Sequence, residues 1–415
     1  MSLTQLVNSR LPSEPDQTTV LWVEDGFFIS ANVVQEGNRE ADQVIDLHGQ
    51  LIMPSLVETH IHLDKACILH RCQLNRGTLQ EAIAQTTAAK RDFTEDDVYA
   101  RGKQVIEQAI VQGTGYMRTH VEIDPVIGLT GFQAVRRLQA DFAWAMDIEI
   151  CVFPQEGMLN NPGTEILLLE ALAAGAQVLG GCPYTDSDPA AQIRRLFEIA
   201  VEYDRDLDFH LDFDLYPERS LMPVVLEQTR HYGWAQRVTV GHVTSLSALP
   251  AEALQNMAEQ LAAAGVSVTA LPSTDLFLSG RDCDCLVPRG VAPLHRLAPA
   301  GVQCSISTNN MGNPFTPFGD ASLVRQANLF ANLAQLGTNE AYRQCLQWVT
   351  SESARILRLP NYGLEPGCQA DFIGFSVARS EHIVTQLAIP NCGFKRGVEV
   401  FRRPAVQLFS PDAQV

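Results

Sequence analysis

The chain has 415 residues, 46% hydrophobic and 19% charged, a balance that fits a large folded core. Its formal net charge of −18, from 30 Lys plus Arg against 48 Asp plus Glu, repels phosphate backbones and argues against broad nucleic-acid binding. No apolar run reaches the roughly 18 residues that span a bilayer, and the polar start lacks the order of a secretory signal. The expectation is a cytoplasmic protein without a membrane partner.

The first fifty residues read as strands and turns. Thr18–Val23 is an apolar, β-branched run, Asp25-Gly26 is a tight hairpin dipeptide, and Phe27 to Ile29 resumes a strand. A turn at 46–50 precedes Leu51 and Ile52. From Pro54 short apolar strands alternate with helical stretches. The strand candidates are 56–62, 115–121, 148–153, 176–179, 207–211, 237–242, 266–271 and 302–307. Thr94-Glu-Asp-Asp97 resembles a helix cap ahead of Val98, Ile106 and Ile110, and Ala251 to Ala264 is a second helix closed by Gly265. Eight strands with intervening helices over about 250 residues is the count of a (β/α)8 TIM barrel; a doubly wound open sheet shares the rhythm. After Leu359 strands return at 370–375, 397–401 and 405–409. The expected fold is α/β, a TIM barrel over 54–358 with a small β-sandwich built from both chain ends, 1–53 plus 359–415.

Ten cysteines are scattered without a disulfide framework and read as reduced thiols. The pair Cys283-Asp-Cys285 lacks a second pair or a neighbouring histidine and reads as a loop.

Chemistry concentrates in Thr59-His-Ile-His-Leu-Asp-Lys65, at the end of the first barrel strand. Side chains alternate along a strand, so His60 and His62 share a face and suit neighbouring positions on one metal ion. Two ordinary strand-end histidines are the competing reading. His120, His210 and His242 also stand where strands end, and in a barrel all such ends meet at one mouth. His48, His70, His231, His295 and His382 lie in turns or helices and read as surface residues. By the same alternation Asp212 and Asp214 share the face of His210, and Glu122 and Asp124 share that of His120. If the strands keep that alternation, any of these could supply a base; ordinary strand-end carboxylates are the competing reading. Lys65 is either a substrate-facing ammonium or a partner for Asp64.

On these motifs the sequence resembles the amidohydrolase superfamily, within it the cytosine deaminase and N-isopropylammelide hydrolase group. The segments that carry the likeness are Pro54–Lys65, Met117-Arg-Thr-His-Val121, Val152-Phe-Pro-Gln-Glu-Gly157, His210, His242, Gly280-Arg281, Asn313-Pro-Phe-Thr-Pro-Phe-Gly319 and Gly367-Cys-Gln-Ala-Asp371. The resemblance implies one divalent metal ion, zinc or iron, held by His60, His62 and His210 with a fourth ligand from the eighth strand. It implies that Gln155 binds a small heterocyclic substrate and that His242 helps to hold or activate the water that cleaves a C–N bond. Two positions depart from it. Asn309 stands where the family has a ligating, proton-accepting aspartate; an amide oxygen can still coordinate but is a very poor base. Phe213 stands where cytosine deaminases have a proton-shuttling glutamate, which disfavours cytosine and favours an alkylamine leaving group. The expected function is metal-dependent hydrolysis of a nitrogen heterocycle. The alternative is a catalytically impaired homologue that binds or regulates. Self-association into a homo-oligomer stays open.

Overall fold

A computed structural model describes residues 2–409 of the chain. Five strands come first: β1 (Leu3–Leu11), β2 (Glu14–Glu24), β3 (Phe27–Ile29), β4 (Gln43–Asp46) and β5 (Leu51–Pro54). Asp25 and Gly26 take φ of 50° and 84°, the left-handed pair that joins β2 to β3. Eight more follow: β6 (Leu56–Ile61), β7 (Thr114–Glu122), β8 (Asp147–Phe153), β9 (Val178–Gly181), β10 (Asp206–Leu211), β11 (Val238–His242), β12 (Val266–Ala270) and β13 (Cys304–Ile306). The chain returns through β14 (Phe372–Phe375), β15 (Cys392–Lys395) and β16 (Val398–Arg402).

β6 to β13 pair in parallel in sequential order, which selects the barrel over the doubly wound sheet. The seam closes at a residue of chemical interest. The Asn309 N–H donates to the His60 carbonyl at 2.8 Å, and the His62 N–H donates to the Asn309 carbonyl at 2.9 Å. Helices wrap the barrel and share its core; the helix Glu95–Val111 is capped by Thr94, whose hydroxyl accepts the Asp97 N–H at 3.2 Å.

The two chain ends meet in one continuous mixed sheet, ordered β16-β15-β14-β5-β1-β2-β3 with β4 on β1. It has its own apolar cluster, including Leu6, Phe28, Ile52, Phe372 and Phe394. The strand expected at 405–409 does not form. Pro404 offers no N–H, no strand lies beside this segment, and Leu408 is 93% exposed. β1, β4 and β15 were not expected; β4 is too short and too polar to carry a readable alternation. Among the described residues, no helix is long and apolar enough to cross a membrane.

Candidate metal centre and active site

The mouth of the barrel gathers histidines from β6, β7, β10 and β11. The Nε2 atom of His210, from β10, lies 3.1 Å from Nε2 of His60, in β6, and 3.1 Å from Nε2 of His62, just past the end of β6. No charge separates them, and all three are buried. The Nδ1 of His62 faces the His120 carbonyl at 3.1 Å, so it carries the proton and Nε2 presents a lone pair. His210 can donate to only one of its two neighbours, so a nitrogen pair is left lone pair to lone pair. Tetrahedral ligands about 2.0–2.1 Å from a shared ion lie about 3.3 Å apart, close to the 3.1 Å that separates His210 from each of its two partners. Burial pushes His60, His62 and His210 well below the usual imidazole range, which keeps them neutral, the form that coordinates. Gly241 makes room for the cluster, since a Cβ there would meet the His60 ring at 3.2 Å.

Asn309 lies in the same cleft. It is 1% exposed, sits at φ 65°, and its Oδ1 accepts no hydrogen bond from the protein. A buried amide oxygen without a donor is unusual, and it fits an ion as partner. The donor set therefore suits a divalent metal: three neutral imidazoles and one carbonyl-type oxygen.

The cleft is tight, about 10 Å³, and its lining includes His62, His210, His242, Asn309, Tyr184 and Phe315. Phe213 packs edge-on against His242, with ring centroids 4.4 Å apart. Leu79 and Leu278 complete an apolar wall beside it. A more open groove beside His295 and Trp348 lies on the outer helical layer, away from the strand ends, and brings together no metal-binding cluster.

The acidic residues singled out by alternation are engaged elsewhere. β10 ends at Leu211, and Asp212 turns left-handed at φ 47°, so the period of two stops there. Its carboxylate accepts the Ser220 hydroxyl and, at 2.9 Å, the Leu221 N–H, pinning the loop before the helix Met222–Tyr232. Asp214 accepts the Tyr216 N–H at 2.8 Å and faces the outer vestibule. Lys65 donates its backbone N–H to the Asp64 carboxylate at 2.9 Å, but not its ammonium. Its ammonium donates to Glu122 at 2.7 Å and to Gln155 Oε1 at 3.0 Å, and lies 4.7 Å from the centre of the Phe315 ring. Gln155 also donates to Cys182 Sγ at 3.4 Å. Lys90 donates to Asp124 at 2.6 Å, with Glu122 and Glu156 also in reach. Burial works against charge on Glu122, yet Lys65 and Lys90 hold its carboxyl below the usual range.

Three carboxylates near the histidines were not singled out. Asp275, in the helix Pro272–Leu278, accepts the His242 Nδ1–H at 2.7 Å. Asp208 lies beneath the cluster, bonded to Arg118 at 2.9 Å and 3.4 Å from His120 Nε2. Glu58 accepts the Thr308 N–H at 3.1 Å, and burial raises its carboxyl to about 7. Glu58 and Asp208 each stand two residues before a singled-out histidine. Alternation read backwards would have found both.

Comparison with known proteins agrees with the geometry. A family model described as the amidohydrolase family matches residues 77–388. The chain is similar to N-isopropylammelide isopropyl amidohydrolase of Pseudomonas sp. (strain ADP), at 26% identity, covering 85% of this chain and 86% of that protein. It also superposes on 5-methylcytosine deaminase from Klebsiella pneumoniae in complex with 5-fluorocytosine, with a TM-score of 0.91 at 26% identity, covering 98% and 100% of the two chains. For N-isopropylammelide isopropylaminohydrolase from Burkholderia multivorans the TM-score is 0.83 at 26% identity, covering 97% and 99%. A barrel mouth of converging neutral imidazoles and a family match over most of the chain lead to one conclusion: the protein belongs to the amidohydrolase family and is a hydrolase of C–N bonds.

Proposed function

We propose that the mouth holds one divalent ion, zinc or iron, on His60, His62, His210 and Asn309. The protein would then hydrolyse a ring C–N bond of a small nitrogen heterocycle. The observation that carries the reading is the approach of His210 Nε2 to the Nε2 atoms of both His60 and His62, at 3.1 Å each. When bound, the ion supplies a Lewis acid that makes a water acidic enough to attack carbon at neutral pH.

The chain's own residues supply the rest. Asn309 contributes an oxygen but accepts no proton, so the proton of the attacking water passes to His242, the histidine of the cleft that is bonded to a carboxylate. Gln155 and Lys65 present an amide and an ammonium toward polar ring edges; both are already bonded to protein, so substrate exchanges hydrogen bonds and does not create a first set. Phe213, Leu79 and Leu278 exclude water from one side. With Phe213 no ring nitrogen is protonated from that side, and an alkylamine substituent finds an apolar seat. The similarity to two N-isopropylammelide hydrolases points the same way. Asp212 and Asp214, bonded within their loop, position that loop and take no proton.

The non-catalytic alternative gains no support, because the His242–Asp275 pair offers the proton acceptor that Asn309 lacks. We also infer that 1–53 with 359–415 form a domain distinct from 54–358, supported by their separate apolar cluster. Cytoplasmic location and homo-oligomeric assembly belong to the same proposal and rest on the sequence. Screening alkylamino-azines, pyrimidines and hydantoins with zinc- or iron-reconstituted protein tests the function. Turnover of an alkylamino-azine ahead of cytosine is expected; no turnover with either metal bound overturns it.

A further inference from the structure

Asp275 is 0% exposed, and a buried carboxylate is unfavourable unless it is paired. Its partners are few. Oδ1 faces His242 Nδ1 at 2.7 Å and Oδ2 accepts the Leu271 N–H at 3.2 Å; among the described residues no Lys or Arg bonds to it. A carboxylate only accepts, so Nδ1 must carry the proton. That leaves Nε2 of His242 as a lone pair without a protein partner, on a ring that lines the cleft with His210 and Asn309. Phe213 closes against the same ring, with centroids 4.4 Å apart. The backbone also commits the ring to this placement. His242 sits at φ 68°, followed by Val243 at φ 40°, a strained conformation for a β-branched residue. Holding one imidazole tautomer in one orientation accounts for both the strain and the buried charge.

We propose that Asp275 is a positioning residue that fixes His242 as the Nδ1–H tautomer and aims its Nε2 lone pair at the attacking water. The proposal rests on the role given to His242 above. In the reaction the water oxygen bonds to the ring carbon while its proton passes to Nε2. The C–N bond then breaks with its electron pair going to nitrogen, which takes that proton from Nε2, so amine leaves and His242 returns to its starting form. Asp275 exchanges no proton; it orients the ring and faces the imidazolium while that exists.

The test is Asp275→Asn. The Leu271 N–H still needs an acceptor, so the amide oxygen turns toward it and the NH₂ group faces His242, which forces the proton onto Nε2. Long-range ¹⁵N NMR of histidine-labelled protein, with His242→Gln used for assignment, reads the tautomer directly. Expected are the Nδ1–H form in wild type, the Nε2–H form in Asp275→Asn, and zinc affinity within about 3-fold, since His60, His62 and His210 are untouched. On a turned-over heterocycle kcat falls by about 10³-fold with KM nearly unchanged, by analogy with the carboxylate-to-amide change in hydrolase triads; Asp275→Glu restores part of the rate. An Nε2–H tautomer in wild type overturns the proposal, with no variant needed. So does an Asp275→Asn protein whose tautomer or kcat matches wild type. If wild type turns over no heterocycle, the proposed function fails, and the wild-type tautomer still decides whether Asp275 positions His242.

Discussion

The two sides of the barrel mouth hold similar numbers of polar side chains and treat them in opposite ways. On the side of β7 and β8, Lys65 and Lys90 meet Glu122, Asp124 and Glu156, and the ammonium groups stand within bonding distance of each carboxylate. On the side of β6, β10 and β13, the Nε2 atoms of His60 and His62 face only His210 Nε2, and Asn309 Oδ1 has no protein donor. Ligand atoms lie close enough for a metal in both places, from Glu122, Asp124 and Glu156 on the first side and from His60, His210 and His242 on the second. Only in the second are the positions not already taken by a cation. A saturated network is architecture, and an unsatisfied one is a binding site. Counting titratable groups would not separate the two; following each donor to its acceptor does.

The largest effect that sharpens this contrast is on stability. Lys90→Met leaves Asp124 and Glu156 buried or half-buried without their cation, and should destabilise the fold by about 3–5 kcal/mol in urea denaturation, with metal binding preserved. A stability unchanged by Lys90→Met would break the comparison. Next comes Glu58, beneath the histidines. Burial sets its carboxyl at about 7 in the folded chain against 4.5 ordinarily. Between these values the unfolded chain has lost the proton that the folded chain still holds. Stability of metal-free protein therefore falls as pH rises through this window and levels off above it. The shift is worth at most about 3 kcal/mol at pH 8, and Glu58→Gln should flatten the slope between pH 5 and pH 8; an equal slope in both proteins would count against it.

A smaller effect belongs to Asn309. Asn309→Asp supplies an anionic ligand and should tighten zinc binding by about 10-fold, roughly 1.4 kcal/mol, in competition with a chelating dye; weaker binding would show that Asn309 is not at the metal. The smallest change should come from Asp214→Asn. The carboxylate accepts one backbone N–H near solvent, so kcat/KM and stability should stay within about 2-fold and 0.5 kcal/mol. A large loss of kcat would return Asp214 to the site.

Much of this was legible in the sequence because it depends on strand periodicity. All eight barrel strands lie within two residues of their expected bounds. His60 lies inside β6, and His62 follows directly after its end, held to the seam by its N–H bond to the Asn309 carbonyl. Asp212 and Asp214 were misread because β10 stops at Leu211 and the backbone turns left-handed. The same rule carried backwards along strands that do continue would have found Glu58 and Asp208. Asp275 and Lys90 were beyond such reasoning. Each reaches the mouth from a helical turn, across 33 and 34 residues to its partner, and only the packed barrel brings those elements together. Phe213 and Asn309 were legible as departures from a family pattern, but the His242–Asp275 pair proposed to replace their chemistry was not, because it is a tertiary contact.

The central claim is that His60, His62 and His210 hold a metal. Elemental analysis of purified, zinc-reconstituted wild type beside His210→Ala and Lys90→Met tests it most directly. The account predicts about one ion per chain in wild type and in Lys90→Met, and less than about a tenth of that in His210→Ala. Wild type without stoichiometric metal, or His210→Ala that retains it, would contradict the account.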